Sequence, residues 1–116
     1  MFEIFAKDSL IGHSALEHGD APMGVAFGIF RPAEGYRQIQ RACQVNHDQS
    51  RLALSARTPE GVPIPCEGVN IMDVSHEFED GDPGNIEVSV LGIPYPRYEE
   101  LFPGHVADYQ KRFGDL

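Results

Sequence analysis

Met23-Gly24-Val25-Ala26-Phe27-Gly28-Ile29-Phe30-Arg31-Pro32 is an apolar run of strand length that stops on a proline. Beyond it the chain reads as helix: Tyr36, Ile39 and Cys43 recur at i, i+3 and i+7, with Ala42 beside them. Proline suits a first helical turn, where its missing N–H has no intrahelical acceptor. The reading is therefore a strand over 23–30 followed by a helix from about 32 to 44. Apolar residues occupy both faces of this strand, so it is expected to be central and covered on both sides.

The same plan recurs near the C-terminus. Ile86-Glu87-Val88-Ser89-Val90-Leu91 leads into Gly92-Ile93-Pro94-Tyr95-Pro96 and then Tyr98. A short helical turn over 96–102 is expected, broken by Pro103-Gly104. A second main helix then runs from about 103 to 113, with Val106, Tyr109 and Phe113 on one stripe.

The remaining apolar blocks read as strands: Phe2–Ala6, Ser9–Glu17, Arg51–Arg57 and Val69–Ser75. Alternation is clearest in Leu52, Leu54 and Ala56. The order is three strands, a helix, three strands, two helices. Strands arriving by threes point to an α+β fold. We expect a single globular domain over 1–116, with a mostly antiparallel sheet of five to six strands and two main helices packed on it. A chain of this mass buries roughly two-thirds of its surface, enough for a core without staples.

Charge is unevenly divided. Residues 1–58 hold six acids and six bases, whereas residues 59–116 hold twelve acids and three bases, so the net charge of −9 belongs to the second half. Between Thr58 and Pro96 there is no lysine or arginine and there are eight carboxylates. Such a surface repels a phosphate backbone, so no nucleic acid partner is expected. An anionic membrane is disfavoured for the same reason. A basic protein partner fits instead.

The N-terminal residues have neither a basic region nor a long apolar run, so no signal peptide is expected. Two cysteines, Cys43 and Cys66, make no disulfide framework. A cytoplasmic protein with reduced thiols is the expectation.

Motifs for chemistry are missing. Gly12-His13-Ser14-Ala15 does not match a nucleophile elbow. Cys43, His47, Cys66 and His76 lack the close pairing of a zinc site. Glu79, Asp80, Asp82 and Glu87 do not have the alternate spacing of a calcium loop. We therefore expect no metal, no cofactor and no catalytic residues, and favour a binding protein over an enzyme.

The expected partner-binding residues are Asp73, Glu77, Glu79, Asp80, Asp82 and Glu87 as a carboxylate patch, with Tyr95 and Tyr98 as aromatic anchors. Tyrosine beside carboxylates suits arginine-rich partners through hydrogen bonds and cation–π attraction. The concrete form of this reading is an inhibitor or immunity-type protein that occludes a basic partner such as a nuclease toxin. Neutralising Glu77, Glu79, Asp80 and Asp82 together is then expected to slow association. The alternative is an enzyme or small-ligand protein whose site assembles only on folding, from His18, Asp20, Cys66 and His76.

Overall fold

A computed structural model describes residues 1–45, 48–75 and 86–114. The fold is α+β, and its described strands form two four-stranded antiparallel sheets. The first sheet contains β1 (Phe2–Ala6), β2 (Ser9–Ser14), β5 (Arg31–Pro32) and β6 (Leu54–Arg57), in the order β5-β2-β1-β6. The second contains β3 (His18–Asp20), β4 (Val25–Ile29), β7 (Gly68–Asp73) and β8 (Ile86–Leu91), in the order β3-β4-β8-β7. This corrects the expected single sheet of five to six strands.

The division falls inside the run that reads as one strand. Val25–Ile29 pairs with β8, then Phe30 turns the chain, and Arg31–Pro32 pairs with β2. Phe30 is fully buried, and its N–H donates to Ile86 O at 2.9 Å. Its ring occupies the space where a Cβ on residue 12 would lie, so Gly12 makes room for the bend. A fully buried aromatic at the corner gains more by entering the shared interior than by extending either sheet.

One buried cluster spans both sheets. Ile4, Ile11 and Ala56 enter it from the first, and Ala26, Ile71, Val88 and Val90 from the second. Alternation sets these faces: along β8, Ile86, Val88 and Val90 are buried while Glu87 and Leu91 are exposed. β4 lies inside its sheet, as expected, but only one of its faces is buried. Ala26 and Gly28 face the core, and Ile29 on the other face is 42% exposed.

The helices also differ from the sequence reading. The expected helix over 32–44 is a 3-10 turn, Glu34–Gln38, followed by the short helix α1 (Gln40–Val45). Ala33 gives this segment no side-chain cap, and Gly35 packs its backbone close to Leu10 O, so a continuous α-helix is not supported there. α2 (Arg97–Leu101) is one turn, and α3 (Pro103–Phe113) matches the expected second helix. Among the described residues, no helix is long and apolar enough to cross a membrane.

Side chains close two open strand edges. The Gln49 amide pairs with the backbone of Ile71 on β7, donating to its O at 2.7 Å and accepting from its N–H at 2.8 Å. The Glu17 carboxylate accepts the Ile29 N–H at 2.6 Å, beyond the end of β3. Both contacts imitate a further strand and leave less edge for another chain to pair with.

Candidate functional site

Asp73, expected on the acidic surface, is in fact 1% exposed. Its position on β7 points inward with Ile71. The Tyr36 hydroxyl donates to Oδ2 at 2.6 Å, and Gln40 Nε2 donates to the same oxygen at 3.2 Å. Ser75 donates its N–H and its hydroxyl to Oδ1, at 2.9 and 2.6 Å. Burial opposes ionisation of this carboxyl, but the hydrogen bonds from Ser75, Tyr36 and Gln40 outweigh it and hold its pKa below the ordinary value. Burial also raises the Tyr36 phenol strongly and pushes the Cys43 thiol up to about 11. This is a satisfied interior network, and Asp73 is withdrawn from the partner surface. The cavity of about 510 Å³ beside it is lined by Pro32, Glu34, Arg37 and Ile86 and by Tyr36, Gln40 and Ser75, whose side-chain donors are committed to Asp73.

Tyr98 is a second correction. It is fully buried, and its hydroxyl donates to Val25 O at 2.8 Å and lies 3.0 Å from His105 Nδ1. It locks α2 to β4 and cannot anchor a partner. Burial lowers the His105 pKa, against the pull of the Leu16 carbonyl. Its ring stacks on Phe102, with centroids 4.7 Å apart.

Tyr95 and Glu87 do reach the surface. Tyr95 is 44% exposed and its hydroxyl donates to Ala21 O at 2.7 Å. Partial burial, then Glu99 and Asp20, raise the phenol above its ordinary value, which places two carboxylates in its neighbourhood. Glu87 lies in the middle of a cross-strand row, paired with Ile29 on β4 and Met72 on β7. The next row on the same face is Phe27, Ser89 and Asn70. Glu77, Glu79, Asp80 and Asp82 lie outside the described residues.

The outer face of the second sheet is thus uncovered over much of its area. Met72 is 60% exposed, Ile29 42% and Leu91 38%. Met23, exposed, follows Pro22 in the turn that receives the Tyr95 hydroxyl. Glu67 packs over Gly92 at the end of β8, and Asp20 ends β3. None of β3, β4, β7 and β8 carries a lysine or arginine, whereas β5 and β6 carry Arg31 and Arg57. Among the described residues the only ion pair joins Arg97 and Glu100, at 3.5 Å, so the other described carboxylates of this half are not neutralised within the chain by direct contact.

The apolar members of this face escape a reading of the sequence. Ile29, in a run that is apolar on both faces, and Met72, beside Ile71 in a strand with β-branched residues, look like core residues, and only strand pairing shows which face is left open.

Three residues of the alternative site are described. His18 and Asp20 are exposed on β3 and His76 lies outside the described residues. Cys66 is half-buried, packed against the core, and burial raises its thiol. Among the described residues, no group of three histidines, cysteines or acids could hold a metal ion.

No family model, curated protein or solved structure matches the chain.

Proposed function

We propose that this protein is a binding module that docks a basic protein through the outer face of its second sheet. The observation that carries the reading is the composition of that face: exposed Ile29 and Met72 flank Glu87, exposed Leu91 lies further along β8, and the four strands beneath hold no lysine or arginine. Apolar side chains with interspersed carboxylates match a partner surface that offers aliphatic contact and cationic groups. Tyr95, half-exposed beside the turn at Ala21 with Asp20 and Glu99 near it, offers an aromatic contact in the same acidic half. In its most concrete form the module is an inhibitor or immunity-type protein, which blocks the cationic substrate groove of a partner such as a nuclease toxin by covering it.

The test compares the wild type with two surface variants, Met72→Ser and Glu87→Lys. Proteins retained from lysate at low salt are identified, and the association of the purified partner is then timed. The reading expects one strongly basic protein whose capture is lost at high salt. Glu87→Lys should slow its association by about tenfold at low salt, a difference that shrinks as screening shortens. Met72→Ser should mainly speed dissociation. Equal kinetics for the wild type and both variants refute the assignment of this face.

A further inference from the structure

We infer that the cleft between the β3–β4 hairpin and α3 receives one arginine side chain of the basic partner. The inference rests on the docking reading and names the contact that fixes the partner's position.

The cleft arises because the apolar stripe of α3 overshoots the core. Val106 is buried and Tyr109 partly so, but Phe113, on the same stripe, is 70% exposed. Tyr109 and Phe113 lie 4.9 Å apart, ring centre to ring centre, and with Phe27 they wall a cavity of about 170 Å³. On the opposite side the His18 ring packs against Phe27 at 5.5 Å. The cavity adjoins a wider depression that shares Phe27, Tyr109 and Phe113 and reaches Asp20. The inner cavity, about 170 Å³, has the size of a single long side chain, and the open depression of about 570 Å³ beside it leaves room for the backbone that would carry that side chain.

The charges select which side chain. Glu17 and Asp108 line the cavity and Asp20 lines the depression; Arg112 is the one lysine or arginine in either lining, and the imidazoles of His18 and His105 complete the cavity wall. The Glu17 carboxylate is held in place by the Ile29 N–H, so it is oriented before any ligand arrives. Aromatic faces beside carboxylates attract a cation by the ring quadrupole and by direct charge together. A guanidinium is planar, stacks on such rings, and forks towards two acceptors at once, whereas a lysine ammonium is a compact and strongly hydrated charge. A neutral apolar side chain makes no use of the carboxylates.

The test uses the full chain and two peptides, acetyl-Gly-Arg-Gly-amide and its citrulline counterpart, which keeps the shape and removes the charge. The aromatic resonances of Phe27, Tyr109 and Phe113 are followed by NMR during titration. The arginine peptide should shift all three, and the citrulline peptide should bind at least about fivefold more weakly. Phe113→Ala and Asp108→Asn, both at exposed positions, should each weaken the arginine peptide by about three- to fivefold. Arg112→Gln, which removes the competing base, should tighten it. Equal binding of the two peptides overturns the inference, as do shifts confined to other regions. The docking reading stands or falls separately: a partner that responds to Glu87→Lys and Met72→Ser but not to Phe113→Ala retains the sheet face and removes the cleft, and the converse pattern does the reverse.

Discussion

Replacing Asp73 by Asn changes one atom in a side chain that four donors address, and the structure sets the cost. Both oxygens of Asp73 accept two hydrogen bonds each, Oδ1 from Ser75 and Oδ2 from Tyr36 and Gln40. Whichever way the new amide turns, its NH2 group meets two donors. The Ser75 backbone N–H cannot reverse, so the amide oxygen is expected to stay on that side. The NH2 then faces Tyr36 and Gln40, where the hydroxyl can rotate and the Gln40 amide can flip. Two hydrogen bonds to a charged acceptor are lost and replaced by weaker neutral ones, each charged bond being worth about 1.5–3 kcal/mol against about 1 for a neutral one. The net expectation is a loss of about 1–4 kcal/mol at neutral pH, and a melting temperature lower by about 10 °C.

The pH dependence gives a second reading of the same variant. The pKa of Asp73 is lower in the folded chain than its unfolded value of about 3.9. Its contribution is therefore complete above that value and disappears as pH falls through the folded pKa. Urea denaturation followed by tyrosine fluorescence, repeated from pH 7 to pH 3, measures both. The gap between wild type and Asp73→Asn should be constant down to about pH 4 and narrow below it. A gap of less than about 0.5 kcal/mol at pH 7, within the range of ordinary surface substitutions, refutes the reasoning, as does a gap that widens in acid. Association with a basic partner should not change, because the carboxylate is interior.

Three further outcomes follow from the packing. Gln49→Leu leaves the Ile71 N–H and C=O without their amide partner and should cost about 2–4 kcal/mol in urea denaturation; it also opens the β7 edge, so self-association by sedimentation should rise. His105 has a lowered folded pKa, so its contribution is complete above the ordinary histidine value of about 6.5 and declines as pH falls; His105→Gln should flatten the loss of stability between pH 7 and pH 5. Gly24 has a φ of 67° and its missing Cβ points at Ile93 O, 2.5 Å from an ideal Cβ, so Gly24→Ala should lower stability by more than about 1 kcal/mol.

Local pattern was enough wherever one strong signal acted alone. Phe2–Ala6 and Ile86–Leu91 are strands at the predicted positions, and α3 spans the predicted 103–113, because alternation or a 3.6-residue stripe bounded by proline and glycine leaves few other solutions. The α+β class followed from the order of those elements. The charge asymmetry also belongs to the sequence, since no fold changes how many carboxylates the second half carries.

Tertiary structure decided the rest. Phe30 divides one apolar run between two sheets because its ring finds space only over Gly12, which is eighteen residues away in sequence. Asp73 and Tyr98 look like surface residues in an acidic, tyrosine-bearing half, yet their partners Tyr36 and Val25 lie far along the chain. Ile29, Met72 and Phe113 look like core, and lie open because strand pairing and the end of α3 carry them past it. Burial is a property of what the chain brings opposite a residue. Periodicity determines which residues share a face, and only the folded arrangement determines whether that face is covered.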